Sequence, residues 1–267
     1  MPEDDPSHII VLNKYPIIAN HFILATKTNK QQTHKLEAVD LGIAWRCIKE
    51  WNGQLEGGGS RRLFAFFNSG EHSGASQPHR HLQFLPVEDM QSGEARNSWS
   101  LLADSVWTAP DAAAKGESSL APLKSNPNLP FMHFGARLPT RPSPDELLKI
   151  YTMLYEAAAQ EIHEYAEKHP DDLSLHDTGD GSTAISYNLA LTNEVMIICP
   201  RRKEGLMLKR ADGTDLDFVA LNGTLLGGTL MVKNEECFEL LKSESSRLED
   251  VLRAIGLPAA SSSGLYI

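Results

Sequence analysis

Apolar and polar positions along this chain follow two periods, and the changes of period mark its elements. Ile9, Ile10, Val11 and Leu12 sit in a stretch predicted as a strand over His8–Pro16. Pro16 to Asn20 reads as a turn, and Phe22–Thr26 as the strand that returns. From about Lys35 to Trp51, Leu36, Val39, Ile43, Cys47 and Ile48 recur at helical spacing. Gly57–Gly59 is expected to end that helix. Strand character resumes at Leu63–Phe67, breaks over Asn68–Gln77 and returns over His79–Val87.

Residues 89–130 are rich in Ser, Ala, Asn and Pro, with few apolar clusters beyond Leu101–Leu102 and Trp107. They read as a long excursion over the surface. Ser143, Pro144 and Glu146 then spell an N-cap, a first helical position and a capping box. Leu147, Ile150, Leu154, Ala158, Ile162 and Tyr165 mark the buried stripe of the helix that follows. After an acidic loop over His169–Gly181, Ala184–Leu191 and Val195–Pro200 predict a hairpin with Asn193 near its turn. Leu225–Val232, with Gly227 and Gly228 inside it, is expected as a further strand. Asn234 is expected to cap one last helix carrying Phe238, Leu241, Leu248, Val251, Leu252 and Ile255, stopped by Gly256 and Pro258. The pattern is α+β: an antiparallel sheet with packing helices. Two halves of similar coarse plan, residues 1–135 and 136–267, are expected to form one compact unit.

Composition narrows the partners. The chain has 267 residues, 41% of them apolar, enough for a sizeable core. Its 35 acidic and 25 basic residues leave a net charge of −10, which weighs against duplex nucleic acid or an anionic membrane as partner. An anionic nucleotide needs only a local pocket of N–H groups and a few cations. Cys47, Cys199 and Cys237 are odd in number and widely spaced, so reduced thiols are expected rather than a disulfide framework or a zinc knuckle. The acidic Met-Pro-Glu-Asp-Asp-Pro start has no apolar signal core, and no run reaches membrane-spanning length. The expected location is the cytosol, with the nucleus as an additional site, and the expected oligomeric state is a monomer.

The chemistry concentrates in residues 68–83, Asn-Ser-Gly-Glu-His-Ser-Gly-Ala-Ser-Gln-Pro-His-Arg-His-Leu-Gln. On a strand, His79, His81 and Gln83 share one face. Gly70 and Gly74 allow a turn whose N–H groups converge on a phosphate, and Ser76 and Gln77 add side-chain donors. Asn68 ends the preceding strand within reach of a ribose or a phosphate. A neutral imidazole at His81 is a nucleophile for phosphorus, His79 supports its geometry or meets the leaving phosphate, and Gln83 donates to the phosphoryl oxygen as charge grows there. An amide cannot deprotonate water, which favours transfer over hydrolysis. The residues point to nucleotidyl transfer through a covalent histidine adduct. A metal site is not expected, since only Glu71 and His72 lie nearby as further ligands. No cofactor is required, and a divalent cation such as magnesium is compatible with the chemistry.

The order Asn68-x-Gly70, Gly74-x-Ser76, His79-x-His81-x-Gln83 resembles the histidine-triad superfamily pattern with its third histidine replaced by glutamine. Together with Leu12-Asn13-Lys14-Tyr15-Pro16 and His21-Phe22-Ile23-Leu24-Ala25-Thr26-Lys27, it resembles the fungal diadenosine tetraphosphate phosphorylases, also called ATP adenylyltransferases. Leu129–Phe134, Ser186–Thr192 and Asn222–Lys233 look like the same family. The resemblance implies the histidine-triad and hexose-1-phosphate uridylyltransferase architecture. It also implies cleavage of the dinucleotide by phosphate to ATP and ADP, through an adenylyl-histidine at His81 steadied by Gln83. Gly74, Ala75, Ser76 and Gln77 match its phosphate turn, and Asn13, Lys14 and Asn68 its nucleotide-binding positions. Asn222, Gly223, Thr224, Thr229 and Lys233 fall where its second half contacts substrate. Members carry a substantial segment before the Asn-Lys-Tyr-Pro block, which supplies part of the fold and a substrate-contacting lysine. Here that block begins at residue 13, so a shortened or atypical member is expected. Alternatives are a hexose-1-phosphate uridylyltransferase, an adenylylsulfate phosphorylase, or a non-catalytic nucleotide-binding protein.

Other residues have plainer readings. His21 and His133 are expected as structural histidines, and Gly227-Gly228 as a bulge or a close approach to adenine. Arg201, Arg202 and Lys203 read as a solvated basic loop. Trp45, Trp51, Trp99 and Trp107 read as packing residues.

Overall fold

The computed structural model describes residues 6–54, 60–91, 99–108 and 123–258. Its centre is a seven-stranded antiparallel sheet. In chain order the sheet uses β1 (His8–Leu12), β2 (Phe22–Thr26), β5 (Leu63–Ser69), β6 (His81–Pro86), β7 (Phe134–Arg137), β8 (Ser186–Leu191) and β9 (Val195–Arg201), arranged β1-β2-β6-β5-β8-β9-β7. Two two-stranded ribbons stand outside it: β3 (Gly53–Gln54) with β4 (Ser60–Arg61), and β10 (Gly205–Lys209) with β11 (Asp215–Ala220). The halves join edge to edge, because β5 pairs with β8 from Ala65 opposite Leu191 to Ser69 opposite Tyr187. The two expected halves therefore share one sheet.

Both faces of the sheet are covered, which is why β5, β8 and β9 are buried at every position. On one face, α1 (Ala38–Trp51) and α4 (Pro144–Lys168) lay Leu41, Ala44, Ile48, Leu147, Leu154 and Ala158 against Leu24, Leu63, Phe67, Leu82, Phe84 and Leu189. Helix α4 starts as expected: Ser143 accepts the Glu146 N–H, and Glu146 bonds back to the Ser143 N–H at 2.8 Å. Such a cap contributes about 1 kcal/mol. The other face carries Phe64, Phe66, Leu85 and Ile197 under α2 (Val87–Met90), α3 (Leu102–Thr108), α5 (Glu235–Ser243) and α6 (Ser245–Ile255).

Several expectations change. The 89–130 stretch is not all excursion: Leu101, Ala103 and Val106 are buried in the second core, and Arg62 clamps the helix through Asp104 at 2.8 Å. Leu225–Val232 forms no strand. Asn222 caps a one-turn 3-10 helix at Gly223–Gly227, and Gly228 follows with positive φ, so the segment curls instead of extending. A Cβ on Gly227 would meet Met90 at 2.7 Å, so this glycine serves core packing. The last helix breaks in two at Glu244, whose φ of −120° and ψ of 85° are not helical. Asn234 does cap its first part, accepting the Cys237 N–H at 2.7 Å. Strand β1 stops at Leu12, short of the expected Pro16. The expected Gly57–Gly59 stop lies outside the described residues. All three cysteines are free.

Candidate active site

Residues on β6 alternate faces. Leu82 and Phe84 enter the core beneath α1 and α4, so His81 and Gln83 take the opposite face. His81 is 7% exposed, and its Nδ1 lies 2.8 Å from the His79 carbonyl oxygen. A carbonyl only accepts, so Nδ1 carries the proton and Nε2 keeps its lone pair. Burial lowers the pKa of His81, the His79 carbonyl raises it, and the neighbouring His79 ring lowers it further; the net direction is down. The imidazole is therefore neutral near pH 7. Its Nε2 stands 3.5 Å from the Gln83 amide nitrogen.

His79 does something narrower than expected. Its Nε2 is held by the Thr26 carbonyl at 2.7 Å and the Thr26 hydroxyl at 3.0 Å, across β2. This ring ties the catalytic strand to its neighbour, and its backbone carbonyl sets the tautomer of His81. The geometry supports the first of its two expected roles.

The turn between β5 and β6 is built by close packing. Gly70 and Gly74 have φ of 87° and 73°. Ser186 accepts the His72 N–H at 3.0 Å, and the Ser73 carbonyl accepts from Asn188 at 2.8 Å. Ala75, Ser76 and Gln77 are exposed, and their N–H groups make no hydrogen bond among the described residues. They are open donors of the kind a convergent turn offers to an anion. A Cβ on Gly74 would sit 2.5 Å from the Leu221 carbonyl oxygen, at an angle only glycine adopts readily. Replacing Gly74 with Ala is expected to cost about 2 kcal/mol and to raise KM by displacing the turn. Thermal unfolding and steady-state kinetics check this; unchanged Tm and KM would contradict it.

Asn68 is 1% exposed and serves inward. Its Oδ1 accepts from the Gly223 N–H at 2.8 Å and from Asn188 at 2.9 Å. The expected reach toward ribose gives way, at this oxygen, to a bolt between the sheet and the 222–224 turn. Asn188 in turn accepts from Arg201, which also donates to the carbonyls of Lys203 (3.0 Å), Glu204 (2.9 Å) and Leu221 (3.0 Å). Arg201 is fully buried, with its pKa lowered to about 10 by desolvation, and so stays charged at neutral pH. The solvated-loop reading of Arg201 is thus corrected: it is the keystone beneath the site. Arg202 and Lys203 pair with Asp172 at 2.8 and 3.0 Å, rather than standing free.

A cavity of about 110 Å³ opens beside Gln83, lined by Asn13, Tyr15, Ile17, Ile18, His21, Phe66, Leu85, Asn222, Thr224 and Met231. It brings Asn13 and the second-half residues Asn222 and Thr224 together with Gln83. Lys14 and Lys233 are exposed, and Lys14 lies over the Tyr15 ring at 5.2 Å. Gly223 is in the bolt described above, and Thr229 folds back on the Thr224 carbonyl at 3.2 Å. A larger cavity of about 480 Å³, lined by Trp45, Lys49, Arg137 and Glu194, contains none of the expected site residues.

His21 was missed as a site residue. Its Nδ1 pairs with the Asn13 amide at 2.9 Å, and its Nε2 is buried with no hydrogen-bond partner. Burial lowers its pKa, Gln83 raises it and the neighbouring His81 ring lowers it further; the net direction is down. The sequence does not show that β2 lies beside β6; once that pairing is known, strand parity carries His21 to the site face. His133 is structural as expected, accepting the Asn126 N–H at 2.8 Å. Among the described residues no group of three or more His, Cys, Asp or Glu side chains could hold a metal ion, and no helix is long and apolar enough to cross a membrane.

A helix-covered antiparallel sheet, a neutral buried histidine and an open N–H turn beside a small cleft have the make-up of a nucleotidyltransferase. Residues 3–99 match the model of the Ap4A phosphorylase N-terminal domain, and residues 127–258 that of the ATP adenylyltransferase C-terminal domain. The chain belongs to this diadenosine tetraphosphate phosphorylase (ATP adenylyltransferase) family. It is similar to Protein APA1 of Saccharomyces cerevisiae, 25% identical over 97% of this chain and 71% of that protein. It is also similar to diadenosine 5′,5‴-P1,P4-tetraphosphate phosphorylase 2 of the same yeast, 26% identical over 95% and 71%. The crystal structure of yeast Ap4A phosphorylase Apa2 shares its fold, with a TM-score of 0.73 at 22% identity, covering 97% of this chain and 75% of that one.

Proposed function

We propose that this protein cleaves diadenosine tetraphosphate with inorganic phosphate, yielding ATP and ADP. His81 Nε2 attacks the phosphorus next to one adenosine. A P–N bond forms, the P–O bond to the remaining chain breaks, and ATP leaves. A phosphate oxygen then attacks the adenylyl-histidine, the P–N bond breaks, and ADP leaves. The observation that carries this reading is the His81 ring: proton fixed on Nδ1 by the His79 carbonyl, lone pair on a buried Nε2 beside Gln83. The N–H groups of Ala75–Gln77 suit the polyphosphate. Ile17, Ile18, Phe66, Leu85 and Met231 suit a base, and Asn13, Asn222 and Thr224 suit a ribose. Gln83 has no proton to exchange, so water lacks a base and phosphate, already anionic, takes the adenylyl group.

Incubating the protein with the dinucleotide, with and without phosphate, and separating the nucleotides tests this. ATP plus ADP, dependent on phosphate, is expected. Two ADP, or ATP plus AMP, would contradict the phosphorolytic reading.

A further inference from the structure

Strands β5 and β6 form a ladder only as far as Phe66 opposite Gln83. Continued in that register, Asn68 would face His81. The side chain of Gln32 occupies that place instead. Its Nε2 donates to the carbonyls of Asn68 at 2.8 Å and His81 at 3.2 Å, and its Oε1 accepts the His81 N–H at 2.7 Å. Both donors and the acceptor of one amide are spent on the backbones of two site residues.

The sequence delivers this amide from a turn, residues 31–34, in which the His34 N–H donates to the Gln31 carbonyl at 3.3 Å. The Gln32 N–H donates to the Pro78 carbonyl and the Arg80 N–H to the Lys30 carbonyl, each at 2.7 Å. On its other side the Thr33 carbonyl accepts the Thr183 N–H at 2.9 Å. Opening a cleft requires the two strands to part, and parting strips buried ladder groups of their partners. Gln32, 2% exposed, restores them.

We infer that Gln32 is a positioning residue for adenylyl transfer: its amide fixes the separation of the His81 and Asn68 backbones, and so the place of the His81 Nε2. This rests on His81 being the nucleophile. The His81 ring hangs on the backbone of residues 79–81 through its Nδ1, so a shift of that backbone moves the attacking atom. A second anchor holds the strand from below, where Arg80 pairs with Asp40 at 3.0 Å and Glu37 at 2.9 Å. With that anchor intact, loss of Gln32 leaves the sheet assembled and the site loose.

The test uses the full chain with Gln32→Ala and Gln32→Glu, the second keeping the acceptor but losing both donors. Turnover of diadenosine tetraphosphate with phosphate and hydrogen exchange of backbone amides are measured on each. The expected result is a kcat about 100-fold lower, with KM within about threefold of the unaltered protein. In Gln32→Ala, which removes the acceptor of the His81 N–H, the His81 amide should exchange faster while the Phe84 amide stays protected. A kcat within about threefold of the unaltered protein, in a variant whose His81 amide has lost protection, would overturn the proposal. So would exchange that quickens evenly along β6. An unaltered protein that releases no ATP and ADP would instead overturn the reading of the site, and exchange at His81 would then judge Gln32 alone.

Discussion

Replacing His81 with Ala is expected to lower kcat/KM for phosphorolysis by at least about 10⁴-fold, while substrate affinity stays within about threefold. The reason is chemical. No other imidazole of the site is arranged to replace it: the His79 ring is tied to Thr26, and His21 accepts the Asn13 amide N–H at Nδ1, so its Nε2 carries the proton and no lone pair. The cavity walls that would hold the nucleotide, Asn13, Phe66, Asn222 and Thr224, are untouched by the change. Steady-state kinetics with an equilibrium binding measurement separates the two quantities. A variant that loses affinity and keeps its maximal rate would move the nucleophile elsewhere.

Arg201→Met is expected to destabilise the fold by about 3 kcal/mol or more. Burying a guanidinium without a carboxylate partner is itself costly, and removing it returns part of that cost. Against this stand the buried Asn188 side-chain oxygen and the buried Leu221 carbonyl, both left without their donor. The Lys203 and Glu204 carbonyls are only partly buried, and the Glu204 carbonyl keeps the Leu221 N–H. Each buried acceptor without a partner costs about 1–3 kcal/mol, so the loss outweighs the gain. Arg201→Lys should recover only part, since an ammonium cannot reach four acceptors in a planar fork. The denaturation midpoint measures both variants. A shift below about 1 kcal/mol for Met would mean the relay through Asn188 to Asn68 is dispensable.

What was legible in the sequence follows from how local each signal is. Strand β2, helix α4 and the β8–β9 hairpin follow their periodicity, their caps and their turn residues, all within a few positions. Strand β7 is only Phe134–Arg137, too short for a period, and it exists because β9 offers an edge. Helix α3 is short and interleaves polar residues, and it is held by packing on the second core rather than by propensity. At Leu225–Val232 the apolar run looked extended, but Asn222 and Gly228 bend it, and only the Asn68 contact shows why.

The candidate site divides the same way. The proposed nucleophile and its turn are contiguous in sequence, so His79, His81, Gln83 and Gly74–Gln77 could be named as candidates directly. Gln32, Asn188, Arg201 and His21 reach the site through tertiary contacts spanning up to 120 positions in the Asn68–Asn188 case, and nothing in their local sequence announces it. Arg201 misled because a basic triplet is usually solvated, whereas here its first member is the last residue of β9, a strand covered on both faces and buried at every position.

Mixing the protein with diadenosine tetraphosphate in the absence of phosphate, quenching at high pH where phosphoramidates persist, and mapping the peptides by mass spectrometry bears most directly on the claim. An AMP-sized mass increase on the peptide carrying His81, discharged to ADP when phosphate is added before the quench, is the expected result. Turnover with no such adduct, or an adduct on a different side chain, would contradict the account.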